Sequence, residues 1–283
     1  MNVPTAPASR SRCSQSALGR LPHRSQPNFL MANVNGLCTN TKQTELSLLL
    51  HKYNIHVAVL TETHLDENIP DSQIFQEGYK ILRRDRNLHA VNRSKGGGIA
   101  MYMRNDVHYS GTNITVPEDL EVCWCILQPS QPESTIVAGV YIPPDTSASR
   151  RRALSNHIVE TVELLRSHRP KAKIILLGDC NSTFDVSSLA QELNLKQIVT
   201  ESTRGSAILD VILTDYNTGS QPSNIAAIGT SDHETVIWTC SLNKRQMYQY
   251  RTVRPLKESC LRHLTPSPSS PSTPSVALCT RVE

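Results

Sequence analysis

The stretch IILLGDCNST, residues 174 to 183, carries an apolar run straight into Asp179 and Asn181. A carboxylate at the carboxyl end of a strand serves chemistry or capping, and the pattern repeats along the chain. Asn33 and Asn35 follow FLMA, Glu62 closes IHVAVLTE, Tyr141 stands near the end of TIVAGVYI, Asp210 opens DVILT, and Ser231, Asp232 and His233 precede TVIWTC. Alternation puts Asp179 and Asn181 on one side of an extended segment, so an acceptor and an amide donor could face one ligand. The chemistry such a set suits is metal-assisted cleavage of a phosphodiester. Mg²⁺ takes oxygens from one or two carboxylates and keeps several waters, so Glu62 with Asp232 could supply its protein ligands. The ion would polarise a phosphoryl oxygen. Asn33 and Asn181 can donate to phosphate without adding negative charge, and His233 can donate if an acid holds its ring, for which Asp210 is the candidate. Asp179 would orient or deprotonate the attacking water. The Tyr141 hydroxyl would position the phosphate.

Taken singly, each residue has a plainer use. Asp179 and Asn181 can form an Asx turn, Glu62 can be a solvated strand end, and Ser231 with Asp232 can cap a turn. Asn33 and Asn35 can serve the turn before Gly36, Tyr141 can be strand packing, and His233 an ordinary surface histidine. The plain readings win one at a time and fail together, because chance does not place polar ends on so many strands of one domain.

The elements that must position these residues are legible from periodicity. FLMANVN and IHVAVLTET read as buried strands, joined by a helix at about Lys42 to Tyr53. Four strands follow, YKILRR, GIAMYMR, EVCWCILQ and TIVAGVYI, separated by turn-rich segments. A helix over Ala148 to His168 leads into KIILLGD, SSLAQELNL reads as a short helix, and LDVILT, NIAAIG and TVIWTC are the last strands. Antiparallel runs combined with βαβ crossings predict an α/β fold of two mixed β-sheets packed face to face with helices outside. In such a sandwich the polar strand ends converge on one rim.

The 283 residues favour one large domain. Residues 1–27, rich in Ser, Pro and Arg and free of acids, read as a disordered basic arm, a composition shared with organelle transit peptides. Residues 241–283 contain the Ser/Pro tract LTPSPSSPSTPSV and read as a linker with a disordered tail. The folded domain is expected at 28–240. The net charge of +4 is divided between flanks of +4 and +5 and a domain of −5. An acidic domain that handles a polyanion needs a cation or local basic stripes. No run approaches the ~18 apolar residues of a membrane span, so no membrane partner is expected. The eight cysteines include no C-x-x-C pair. They read as reduced thiols of an intracellular protein, and the sequons at Asn92, Asn113 and Asn181 as chance.

In their order, NVNG, TETHL, GGGIAMYMR, VYIPP, GDCN, STRG with ILDVILT, and SDH resemble the endonuclease/exonuclease/phosphatase superfamily. More narrowly they resemble the apurinic-type endonuclease domain of LINE-like (non-LTR) retrotransposons, over roughly residues 28 to 240. The resemblance implies a four-layer α/β sandwich, Mg²⁺ or Mn²⁺ as cofactor, DNA as partner and a nuclear site of action. It implies Glu62 as the main metal ligand with Asn35 nearby and Asp232 as a further ligand or supporting acid. Asp179 would act in proton transfer, Asn33 and Asn181 in binding the scissile phosphate, Tyr141 in bracing it, and His233 in touching it while paired with Asp210. Thr203 would lie near the DNA strand. Three features depart from the pattern: Asn35 stands where many repair enzymes have an acid, Cys180 where Phe is usual, and the Asn181 to Thr203 stretch is short.

The activity implied is nicking of one DNA strand to leave a 3′ hydroxyl that primes target-site reverse transcription. An intact element would carry a reverse transcriptase. None follows here, so a truncated or decayed copy is expected. Two rivals remain: repair at abasic sites or another phosphodiesterase or phosphatase activity of the superfamily, and a catalytically silent module that holds nucleic acid through its basic flanks.

Overall fold

Alternation along the strands decides the layers. In the computed structural model, which describes residues 27–217 and 219–240, the chain runs β1 (Asn28–Asn33), α1 (Asn40–Lys52), β2 (Ile55–Thr61), β3 (Tyr79–Arg84), β4 (Ile99–Arg104), β5 (Tyr109–Gly111), β6 (Glu121–Leu127) and β7 (Thr135–Tyr141). It continues with α2 (Ala148–His168), β8 (Lys173–Asp179), α3 (Val186–Leu193), β9 (Lys196–Gln197), β10 (Asp210–Thr214), β11 (Ser223–Ile225) and β12 (Thr235–Thr239). Two six-stranded mixed sheets result, in the orders β11-β12-β1-β2-β4-β3 and β5-β6-β7-β8-β10-β9. The expected basic arm and Ser/Pro tail lie outside the described residues, apart from Pro27.

Three cores separate four layers. Phe29 and Met31 of β1, Val57 and Val59 of β2, Val137 of β7, and Ile175 and Leu177 of β8 meet between the sheets. Their alternate neighbours face outward: Leu30, Ala58 and Leu60 pack under Leu46 and Leu50 of α1. Ile174 and Leu176 pack under Leu154, Ile158 and Val162 of α2 and Leu189 and Leu193 of α3. Apolar residues four apart on each helix form the stripe that covers a sheet. With both sheet faces buried, the strands read as near-continuous apolar runs. Among the described residues no helix is long and apolar enough to cross a membrane.

α1 starts at Asn40, two residues before the expected position, because the Thr39 hydroxyl accepts from the Lys42 N–H at 3.4 Å and caps it. Of NIAAIG only Asn224 and Ile225 pair, in a strand that begins one residue earlier at Ser223, and the chain then turns at Gly229, whose φ of +63° bends it over the Lys42 side chain. The edge strands β5 and β9, of three and two residues, are too short to show a period.

Candidate active site

The inward series of five strands change from apolar to polar at one end of the sandwich. Asn33 continues the Phe29, Met31 series of β1; Tyr141 continues Val137 and Gly139 of β7; Asp179 continues Ile175 and Leu177 of β8. Asp210 precedes Ile212 on the inward face of β10, and His233 lies just before β12. Register then aligns them: Asp179 is opposite Tyr141 in the parallel β7–β8 pair and opposite Asp210 in the antiparallel β8–β10 pair. Glu62 follows β2 by one residue.

Hydrogen bonds weld these ends into one network. The Asn33 amide donates both to Glu62 Oε1 at 2.9 Å and to Asp179 Oδ2 at 2.8 Å. The Tyr141 hydroxyl donates to the same Glu62 oxygen at 2.8 Å. His233 Nδ1 lies 2.7 Å from Asp210 Oδ2, and its Nε2 faces Asp179 Oδ2 at 3.9 Å. The Ser231 hydroxyl donates to the Asn33 carbonyl at 2.7 Å and accepts from the His233 N–H at 3.2 Å, tying the segment before β12 to β1.

Electrostatics separate the two carboxylates. Burial opposes ionisation of Glu62, but His64 and the donors from Asn33 and Tyr141 outweigh it and hold its pKa at about 2. Asp179 moves the other way: burial first, then the nearby Asp210 charge, push it up to about 7 against the pull of His233, Asn33 and the Asn181 N–H. Burial works against a charged His233, yet the Asp210 hydrogen bond and charge prevail and raise its pKa. Burial and Glu62 raise Tyr141, so its hydroxyl is a neutral donor. One firmly ionised acid therefore stands beside an acid raised to about 7 and an imidazole held more basic than usual.

The family model for the endonuclease/exonuclease/phosphatase family matches residues 32–233. The chain belongs to that family. No curated protein sequence matches the chain significantly, but solved structures do. The endonuclease domain of TRAS1, a telomere-specific non-LTR retrotransposon, superposes with a TM-score of 0.54 at 15% identity over 77% of this chain and 99% of that one. The AP endonuclease LMAP from Leishmania major gives 0.61 at 14% identity, over 77% of this chain and 89% of that one. The catalytic domain of human Nocturnin gives 0.59 at 14%, over 76% and 92%. Members of the endonuclease/exonuclease/phosphatase family are hydrolytic nucleases and phosphatases that generally depend on a divalent metal.

The family member in hand has two places where a cation could be held. Asp179, Asp210 and His233 each offer one ligand atom within 4.8 Å of the others. All three are buried, and Asp210 and His233 are already bonded to each other. An ion there would break that bond and lose the waters that Mg²⁺ retains. Glu62 fits better. It is ionised, partly exposed, and its Oε2 lies 3.6 Å from His64 Nε2, beyond hydrogen-bond distance.

Four expected residues stand differently from the sequence reading. Asp232 is 61% exposed, with Oδ2 2.5 Å from the Arg204 guanidinium and Oδ1 4.0 Å from His233 Nε2, so it stands at the edge of the network with one oxygen paired to an arginine. Thr203 is fully buried and its hydroxyl accepts from the Leu209 and Asp210 N–H groups, so it holds the backbone at Asp210 and has no solvent-facing surface. Asn33 is a bridge between carboxylates, with both amide hydrogens committed. The chain does not stay extended through Asn181, where φ is +47°: its N–H closes an Asx turn on Asp179 Oδ1 at 3.0 Å and its amide donates to the Ile142 carbonyl at 2.8 Å. Asn35 is exposed near Glu62, in the turn whose Gly36 N–H donates to the Glu62 carbonyl at 2.6 Å.

Sequence reading missed two supports of this family site. Lys42 is buried beneath the Asn35 turn and donates to the carbonyls of Val34 and Asn35 at 2.8 and 2.6 Å; its signal was a lysine on the core-facing stripe of α1. His64 is one of eight non-glycine residues with positive φ among those described, four of which (Asn35, Glu62, His64, Asn181) ring the site. Such backbone strain gathers where surrounding contacts enforce it.

Proposed function

We propose that this chain is a Mg²⁺-dependent endonuclease that nicks one strand of DNA to leave a 3′ hydroxyl, the activity that primes reverse transcription in a non-LTR retrotransposon. The observation that carries the reading is the hydrogen-bonded line Glu62–Asn33–Asp179 at the strand-end rim, faced across 3.9 Å by the His233–Asp210 pair. The ordered motifs and the fold shared with a retrotransposon endonuclease domain support the retroelement assignment.

Glu62, with Asn35 beside it, would hold the cation, which supplies positive charge to a phosphoryl oxygen when bound. Asp179 takes a proton from the attacking water as the new O–P bond forms; the P–O3′ bond breaks and the departing O3′ oxygen takes a proton from solvent, giving a 5′ phosphate and a 3′ hydroxyl. Its pKa of about 7 suits a base working near neutrality. His233, kept protonated by Asp210, donates from Nε2 to the phosphoryl oxygen where charge accumulates. Tyr141 and Asn33 fix the oxygen of Glu62 that they share.

The test is incubation of the purified protein with supercoiled plasmid. Open circles whose nicks a polymerase can extend are expected with Mg²⁺, and none after chelation. Faster cutting of an abasic duplex than of an intact one would transfer the protein to repair, and inert wild-type protein in Mg²⁺ and Mn²⁺ would end the nuclease reading. A second expectation concerns pH. The rate should rise through about pH 7 as Asp179 ionises and fall once His233 loses its proton. Asp210→Asn should move that alkaline limb to lower pH and slow the reaction about 100-fold or more; an unmoved limb in kcat/KM against pH would separate Asp210 from His233.

A further inference from the structure

Arg86 and Glu121 form a buried ion pair beside this network, with side chains 8% and 3% exposed. Arg86 Nε donates to Glu121 Oε1 at 2.8 Å, its Nη2 lies 2.7 Å from the same oxygen, and Glu121 Oε2 accepts from the Gly98 N–H at 2.6 Å. Removing two charges from water carries a desolvation cost that mutual attraction often fails to recover, so such a pair is weak evidence for stability. Its surroundings suggest another use.

Two routes lead from the pair to Glu62. Glu121 is directly opposite Tyr141 in the β6–β7 ladder, and the Arg86 guanidinium sits over the Tyr141 ring, 5.4 Å from its centroid. That ring carries the hydroxyl bonded to Glu62 Oε1. The second route is the glycine run of residues 96–98. A Cβ on Gly97 would lie 2.1 Å from Arg86 Nε, and one on Gly98 would lie 2.6 Å from Thr63 Oγ1, so these glycines let the arginine and the 62–64 turn close on the loop from either side. The Gly97 and Gly98 carbonyls accept from the His64 and Thr63 N–H groups at 2.8 and 3.3 Å. Glu62 and His64 hold positive φ values of 52° and 54°, a conformation that needs such enforcement.

We infer that Arg86 and Glu121 are positioning residues whose buried pairing fixes the Glu62 carboxylate, by clamping the Tyr141 ring on one side and the glycine-held 62–64 turn on the other. The catalytic consequence rests on the reading of Glu62 as the residue that holds the cation. The placement of Tyr141 does not.

The experiment compares wild type with Arg86→Met, Glu121→Gln and Arg86→Lys in three measurements. Ring resonances of ¹³C-labelled tyrosine, with Tyr141 assigned through Tyr141→Phe, are recorded in metal-free protein; kcat and KM are measured by plasmid nicking; thermal unfolding is followed alongside. Arg86→Met should shift and broaden the Tyr141 signals, lower kcat about 10- to 100-fold by misplacing the carboxylate, and leave KM for DNA unchanged. Arg86→Lys should recover part of the loss. Arg86→Met combined with Tyr141→Phe should be slower than either single variant by much less than the product of their effects, because both act on one oxygen. Unmoved ring signals, an unchanged kcat with only a lower melting temperature, or fully multiplicative effects would each overturn the inference. If Arg86→Met does not fold, Glu121→Gln and Arg86→Lys carry the same readouts. Wild-type protein that cannot nick would sink the nuclease reading, while the ring signals would still decide whether the pair holds Tyr141.

Discussion

Asp179→Asn slows phosphodiester cleavage by about 100- to 10,000-fold, the usual worth of a positioned proton-transfer group, and leaves the protein folded. The replacement keeps an oxygen for the Asn181 N–H but turns the atom facing the Asn33 amide from acceptor to donor. One unmatched buried contact costs about 1–3 kcal/mol, less than the 5–15 kcal/mol that typically holds a domain. The variant also carries a pH signature. Because the folded-state pKa of Asp179 is raised from 3.8 to about 7, by burial first and Asp210 second, the native state binds more protons than the unfolded state between those values. The stabilisation that Asp179 contributes is therefore complete below pH 4 and lost as pH rises through about 7. His233, also raised, acts in the same direction at higher pH. Denaturant unfolding in chelator at pH 4 and pH 8 should show wild type losing more stability over that interval than Asp179→Asn. Equal cleavage rates would remove Asp179 from the chemistry, and equal pH responses would remove the buried-charge argument.

How much of this was legible depended on what each signal measured. β8 was readable because an apolar run ending in Gly-Asp has few structural solutions, and α2 because its apolar residues recur at helical spacing over Ala148–His168. The convergence of Asn33, Tyr141, Asp179 and Asp210 was also accessible, since alternation carries each inward series to the same rim. What sequence could not supply was how each polar group is used. A single Thr203 reads alike whether its hydroxyl meets a substrate or the Asp210 N–H, and the chain reversal at 204–207 that brings it back to Asp210 has no signature at Thr203 itself. Asp232 reads as a carboxylate ligand beside Glu62, yet the arginine that pairs with one of its oxygens comes from a different loop, 28 positions earlier. Arg86 and Glu121 are 35 residues apart, and Arg86 reads as part of the charge run RRDR, a phosphate contact or a solvated face, with nothing to link it to Glu121. The three glycines beside them were visible, but their reason was not, because it lies in side chains from elsewhere that pack against the missing Cβ atoms.

Gly178→Ala should disable the protein through its fold, more severely than any other single-methyl change in the strands. Gly178 pairs with Val140 of β7 on one side and Val211 of β10 on the other. A Cβ there would lie 1.7 Å from the Val140 carbonyl oxygen, 2.7 Å from its carbon and 2.9 Å from its nitrogen. These are backbone atoms of a central strand, so no rotamer change relieves the overlap; β7 and β8 must separate. The next residues on those strands are Tyr141 and Asp179, so the ladder opens where the site is assembled. A cost above about 4 kcal/mol is expected, in the exceptional range for a point substitution, which for a domain of this size lowers Tm by about 8–16 °C. Two other strand glycines grade the effect. At Gly139 the added carbon would meet side chains and no backbone, Val59 and Ile99 at 2.9 and 3.0 Å and Met101 at 3.8 Å across the sheet interface, so overpacking of about 1–3 kcal/mol is expected. At Gly111 nothing lies within 4 Å, and alanine should be neutral. Thermal melts of the three variants should therefore rank Gly178→Ala below Gly139→Ala below Gly111→Ala. A Gly178→Ala protein as stable as Gly111→Ala would mean that β7 and β8 do not approach each other as closely as this register requires, and the shared rim of Tyr141 and Asp179 would lose its structural basis.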